Sequence, residues 1–419
     1  MIAFLYTFFN FLQPGILWPE LASLRPMLVI SVIAGLAGLM SRGDYVKIEA
    51  LKHPAFVALT AFIFAQVVSL YYGGFSSMLG EFEYWHVYLL FVAVSLYVMA
   101  DIVSLRRYLL GMIFGSMVVV FYGIYAVYAH LPAAVGGRAG AYGMYENHND
   151  YSFIIIQNLP FIYMLRREAS GLLRLLLGIS LLACIVGIFL SLSRGGMVAL
   201  IVELILMVWA SLSGRKRTWA IAAMVGFGTL AIGYQWAMRA ANQGDSYTAA
   251  DAESSRLELW NAGFNMVKAR PILGVGSRHF NEFSREYGEL SGDQIGKNSH
   301  NTYIEVVSTS GLVGFISFVL MLRAMIRELK VKVDAPGNEL LDGIRAAALI
   351  SLYSIILRGL LDAKPHDWSF YVLCAVTIAC GMLRRTAEAE HQAENPDAVP
   401  AEGDEEVLGV AAMPTESHR

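Results

Sequence analysis

Charge is what this sequence has least of. Asp, Glu, Lys and Arg make up 16% of its 419 residues, hydrophobic residues 56%, and the mean hydropathy is +0.53. A soluble domain carries about 25% charged residues, so the composition excludes one and indicates an integral membrane protein. Cysteine is nearly absent: Cys184, Cys374 and Cys380 lie in apolar runs without CxxC spacing or a histidine partner, which argues against a disulfide framework or a zinc site. A Walker A loop, a dinucleotide-type glycine pattern and a GxSxG elbow are all missing, leaving arginine to handle any phosphate. The in-out alternation of barrel strands is missing too, so helices carry the spans. The first apolar stretch has neither a basic leader nor a small-residue cleavage site, and is expected to stay in the mature protein.

What is present is a series of apolar windows, each long enough for a helix to cross about 30 Å of hydrocarbon. They predict about twelve spans, near 2–17, 26–41, 54–72, 84–103, 108–130, 151–165, 172–192, 195–212, 218–238, 303–326, 342–363 and 368–383. Every second connection is basic: Arg42, Lys47 and Lys52; Arg106 and Arg107; Arg166 and Arg167; Arg215, Lys216 and Arg217; Arg323, Arg327, Lys330 and Lys332; Arg384 and Arg385. The positive-inside rule makes these connections and both termini cytoplasmic. Segments 131–150 and 239–302 then face the other side, the second between spans 9 and 10. Within it, Leu257, Trp260, Phe264 and Val267 have the spacing of an amphipathic helix lying on the membrane or the bundle. Residues 1–385 read as one membrane domain; 386–419, rich in Ala, Glu and Pro, read as a disordered cytoplasmic tail.

Several polar residues interrupt this pattern on the outer side. His300 closes a polar segment at the entry to a span. It is either an interfacial or helix-capping side chain, or a base for a hydroxyl proton, the work a neutral imidazole suits near pH 7. His148 is its one real competitor. Arg194, followed by Gly195 and Gly196, is a snorkelling interfacial side chain or a phosphate fork beside a closely approachable backbone. Arg256 is a solvated helix charge or a second phosphate contact, and Arg138 is similar but loop-borne. Asn147, His148 and Asn149 form a helix cap or part of a sugar site. Trp260 and Tyr287 are core aromatics or sugar-stacking faces. For a divalent metal, the closely spaced carboxylates are Glu81 with Glu83 and Asp251 with Glu253, pairs that also suit plain solvated loops. Glu203, Arg358 and Asp362 lie in or near apolar spans, which suits a transporter or flippase for an anionic lipid-linked substrate.

Four segments in order resemble the O-antigen ligases and related polymerases of bacterial inner membranes: 138–150, 192–196, 255–280 with its Pro271-Ile272-Leu273-Gly274-Val275-Gly276, and 298–314. The last has His300-Asn301, nine residues, Gly311, two residues and Gly314, similar to the ligase histidine motif. The resemblance implies an all-α, GT-C-like membrane glycosyltransferase of the inner membrane with a periplasmic active site. It would move polysaccharide from undecaprenyl pyrophosphate to a lipid A-core sugar in lipopolysaccharide biosynthesis, without nucleotide sugar, ATP or metal. It carries the functional roles to His300, Arg194 and Arg256. Arg138, Asn147, His148, Asn149, Asn301 and Tyr303 are expected to bind or orient substrate. An O-antigen or exopolysaccharide polymerase and a protein O-oligosaccharyltransferase are the neighbouring possibilities.

Overall fold

A computed structural model of the chain describes residues 1–40, 49–243, 249–290, 294–363 and 365–395, with backbone alone at Leu39, Trp236, 239–243 and 249–255. Every regular element among the described residues is helical. The longer helices are α1 (Ile2–Leu12), α2 (Pro26–Met40), α3 (Pro54–Val68), α4 (Phe75–Val98), α5 (Ile102–Tyr128), α6 (His148–Glu168) and α7 (Gly171–Ser191). They continue with α8 (Arg194–Ser211), α9 (Gly214–Gln243), α10 (Ala249–Ala269), α11 (Phe280–Tyr287), α12 (Thr302–Lys330), α13 (Glu339–Arg358) and α14 (Trp368–Glu394).

Seven of these are long and apolar enough to cross a membrane: α3 with its following turn, α5, α7, α8, α12, α13 and α14. The expected twelve exceeds that number for local reasons. Span 2–17 breaks at Gln13 (φ 53°), where Pro14 starts a separate turn, so α1 has only 11 residues. Helix α4 is interrupted by Glu81, Glu83 and His86. Helix α6 carries Gln157 and Asn158 inside the bundle, where Asn158 donates to Ser116 Oγ (3.0 Å) and Ser369 Oγ to Gln157 Oε1 (3.0 Å). Such pairs bond the amides in part, Asn158 Oδ1 staying without a hydrogen bond, and the residues lower the hydropathy. The α4–α5 junction falls earlier than expected because Asp101 caps α5, accepting from Ser104 N at 2.7 Å. Helix α14 continues through Glu394, past the expected tail boundary at 385. Arg384 paired with Glu388 (2.8 Å) supports that extension; residues 396–419 lie outside the described part.

One long helix is broken on purpose. In α12, Gly311 adopts φ 63°, ψ −166°, and the amides of Leu312 and Val313 bond to Pro271 O (2.8 Å) and Ile272 O (3.2 Å). In return, Ser308 O and Thr309 O accept from Val275 N (3.0 Å) and Gly276 N (2.9 Å). The Pro271–Gly276 stretch thus plugs the helix break, giving partners to the amides of Leu312 and Val313 and to the carbonyls of Ser308 and Thr309. A Cβ on Gly311 would meet Ile272 O at 2.2 Å, and one on Gly274 would meet Thr309 C at 2.4 Å. These glycines are demanded by backbone contact. Helix α10 forms as expected but turns differently: Leu259, Ala262 and Met266 are buried, while Leu257 and Phe264 face outward, each 51% exposed.

Candidate active site

Four helices begin at one end of the bundle, and each has a side-chain cap. Asn147 accepts from Asn149 N (2.8 Å) at α6, and Ser193 from Gly196 N (3.1 Å) at α8. Asn301 accepts from Tyr303 N (3.0 Å) and Ile304 N (3.1 Å) at α12, and Asp367 from Ser369 N (2.8 Å) at α14. A cap of this type contributes about 1 kcal/mol. Four amino-terminal turns at one end also give it a positive backbone field, each terminus equivalent to about half a charge.

His300 sits immediately before the α12 cap in the left-handed region (φ 51°), a conformation histidine tolerates better than most side chains. Its neighbours fix it. Ser299 Oγ donates to Asn301 O (2.8 Å), Ser299 N donates to Glu305 Oε2 (3.1 Å), and Trp260 Nε1 donates to Ser299 O (2.9 Å). The imidazole remains 35% exposed, with Nδ1 3.8 Å from Asp362 Oδ1. That separation is too long for a hydrogen bond, so Asp362 acts on the ring through its charge.

Asp362 leads to the arginines. The loop carrying it is clamped to α12 by Thr302 N to Gly359 O (2.7 Å) and Thr302 Oγ1 to Asp362 O (2.8 Å). One turn before Asp362, Arg358 is 1% exposed and lies 3.8 Å from Asp362 Oδ2. Its guanidinium donates to Ser152 Oγ (2.8 Å) and Asn149 O (2.7 Å) and covers the Phe153 ring at 4.8 Å. Asn149 Oδ1 in turn accepts from Ser193 Oγ (2.8 Å), the cap directly before Arg194. One continuous polar chain therefore runs from His300 through Asp362, Arg358 and Asn149 to the first turn of α8.

Arg194 is the first residue of α8 and half-buried. The glycines after it serve packing: a Cβ on Gly196 would lie 2.7 Å from Ser152 Oγ, and one on Gly195 would rest 3.7 Å from Leu361. Gly196 lets α8 press against Ser152, which holds Arg358. Arg138 Nε donates to Ser191 O (3.1 Å), tying the 131–147 segment to the α7–α8 turn. Arg256 lies one helical turn before Trp260 on α10, and Trp260 bonds the His300 loop.

The remaining expected site residues do structural work. Asn147 and Asn301 are caps; Asn301 Nδ2 also donates to Leu360 O (3.3 Å). Tyr303 OH donates to Ile356 O (2.7 Å), and His148 Nδ1 sits 3.2 Å from Ala139 O. Glu81 is 1% exposed and taken by Arg278 (3.0 Å) and Trp85 Nε1 (2.7 Å). Burial alone would lower the Arg278 guanidinium, but the hydrogen bonds and charge of Glu81 leave its pKa raised. No group of three metal-ligating side chains occurs among the described residues, and the side chains of Asp251 and Glu253 lie outside them. Sequence reading assigned Arg358 and Asp362 to possible transport. Their spacing of four in Arg358-Gly359-Leu360-Leu361-Asp362 was the available signal for an intrahelical pair, but not for its position beside His300.

Residues 179–319 match the family described as O-Antigen ligase, a region containing Arg194, Arg256 and His300. The chain is also 35% identical over 75 residues to the exopolysaccharide production protein ExoQ of Rhizobium meliloti (strain 1021). That alignment covers 16% of this chain and 17% of the relative.

Proposed function

We propose that this chain, a member of the O-antigen ligase family through residues 179–319, transfers polysaccharide from undecaprenyl pyrophosphate to a sugar hydroxyl of lipid A-core at the periplasmic face of the inner membrane. The observation that supports this most is the polar chain linking His300 to the amino-terminal turn that carries Arg194. In this reading His300 takes the proton of the acceptor hydroxyl, and the oxygen attacks the anomeric carbon as the bond to pyrophosphate breaks. Asp362, charged and 3.8 Å away, favours the imidazolium so formed. Arg194 and Arg256, with the field of the helix termini, hold the pyrophosphate and receive the negative charge growing on the leaving oxygen. One displacement inverts the anomeric centre. No metal is assigned a step, so transfer is expected to persist in excess EDTA.

A second reading, a polymerase that uses another lipid-linked glycan as acceptor, is favoured by the likeness to an exopolysaccharide production protein. The transporter reading is weakened: Arg358 and Asp362 connect to the exposed His300 at one end of the bundle, where a transporter would hold charge near the midplane. The deciding experiment offers reconstituted protein the lipid-linked donor alone, with lipid A-core, or with an acceptor protein. Transfer to lipid A-core that disappears in folded His300→Ala supports the proposal. Chain elongation without lipid A-core modification replaces it with the polymerase, and glycosylation of the protein alone replaces it with an oligosaccharyltransferase. Full activity of His300→Ala removes the mechanism.

A further inference from the structure

A cavity of about 260 Å³ lies beside the polar chain, enclosed by the starts of α6 and α14, the middle of α4 and the 143–145 turn. Its walls divide chemically. Tyr84, Tyr88, Tyr145 and Trp368 supply ring surface, with Tyr88 and Trp368 4.9 Å apart and inclined at 39°. Asp150 and Asp367 supply carboxylates. Asp150 follows Asn149, whose carbonyl accepts from Arg358, and Asp367 follows Asp362 on the loop after α13. The cavity and the His300–Arg358 network therefore share a wall.

We infer that this cavity is the subsite for one neutral pyranose ring of the acceptor. The inference rests on the glycosyltransferase reading above and adds where the acceptor sugar is held. Aromatic faces match the C–H face of a pyranose, and carboxylates accept from its hydroxyls with charge-assisted bonds. The volume falls below the roughly 300–1,000 Å³ of pockets for drug-sized ligands, which suits one ring and not an extended glycan. The same carboxylates repel pyrophosphate, whose counter-charges, Arg194 and Arg256, stand outside this cavity. The acceptor sugar and the donor diphosphate are thereby kept apart by the sign of charge.

Tryptophan fluorescence of the full chain in nanodiscs, titrated with methyl glucoside, methyl galactoside and methyl mannoside, tests this directly. Methyl glucuronide, the same ring bearing a carboxylate, is the charge control. At least one neutral glycoside should quench, and the uronide should bind about tenfold more weakly or not at all. The quench should vanish in Trp368→Phe, leaving the other tryptophans silent. Asp150→Asn should weaken binding about tenfold, the loss of a hydrogen bond to a charged acceptor. It should raise the acceptor KM by the same factor and leave the donor KM unchanged, a split that a merely structural role for Asp150 would not produce. No quench by any neutral glycoside in protein that performs transfer overturns the subsite and spares the glycosyltransferase reading. Equal binding of glucuronide and glucoside also overturns it. Selective quench in protein that transfers nothing to any acceptor upholds the subsite while the functional reading fails.

Discussion

The two ends of the bundle hold their most buried arginines differently. At the end holding the carboxyl termini of α12 and α14, Glu328 is ringed by His53 Nε2 (3.0 Å), Arg384 (3.0 Å) and Arg385 (2.5 Å), and Arg345 pairs with Asp342 at 2.7 Å. Those guanidinium groups are neutralised at contact distance. At the His300 end, Arg358 gives its hydrogen bonds to a hydroxyl and a backbone carbonyl, with Asp362 held off at 3.8 Å. Arg138 likewise donates to a carbonyl. Asp150 and Asp367 also act on Arg358 through their charge, so this end balances its buried guanidinium with carboxylates set at a distance, where four helix amino termini add a positive backbone field. One end pairs its arginines at contact distance, and the other sets the carboxylates around Arg358 farther off.

The largest break in this comparison is expected from Arg358. Replacing it with Met takes the donor from Ser152 Oγ, leaves Asn149 O with Ser152 Oγ as its remaining donor, and leaves Asp362 without its cation, a loss of about 3–5 kcal/mol for a disrupted buried pair. Transfer should be abolished and the thermal midpoint should fall. Arg358→Lys keeps the charge but cannot reach both acceptors, and should recover more stability than activity. Wild-type turnover in folded Arg358→Met would separate Arg358 from the site.

Next in size is Asp362→Asn, which preserves shape and removes the charge facing His300. An about 10- to 100-fold fall in kcat is expected, with little change in donor KM and a lowered melting midpoint, since Asp362 is also the carboxylate 3.8 Å from the buried Arg358. An unchanged kcat would mean that the 3.8 Å pairing has no part in proton transfer.

These two residues also mark the limit of sequence reading. Helix positions followed from apolar length and the inside rule, since hydrocarbon thickness sets a local requirement that a window of residues displays. His300 stands out as a candidate because an imidazole beside a membrane entry is rare in so apolar a chain, and its place next to the Asn301 cap is where the polar segment ends. The Gly311 break was not legible, although its glycines were: backbone bonds from 308–313 to 271–276 join segments far apart in the chain. The Arg358–Asp362 link was hidden for the same reason, since its partners Ser152 and Asn149 lie on α6, about two hundred residues earlier. Buried amides on α6 misled in the other direction. Their hydrogen-bond partners, which make Gln157 and Asn158 tolerable inside a bundle, appear only in three dimensions.

The smaller effects belong to the opposite end and sharpen the contrast. Glu328→Gln removes the one carboxylate facing His53, Arg384 and Arg385, and leaves three basic groups crowded together. Glu328 has a side-chain exposure of 10%, so a loss of about 1–3 kcal/mol is expected, with turnover per folded molecule unchanged. Arg385→Ala should do less. Its side chain is 45% exposed, and solvent and salt screen such a pair to about 0–1 kcal/mol. Arg384, 14% exposed and shared between Glu328 and Glu388, remains to hold the cluster. Denaturation at low and high ionic strength should show the small Arg385→Ala deficit shrinking as salt rises. If that variant instead slowed transfer, the ends would be coupled through α12 across its Gly311 break, and the division into a stabilising end and a reacting end would fail.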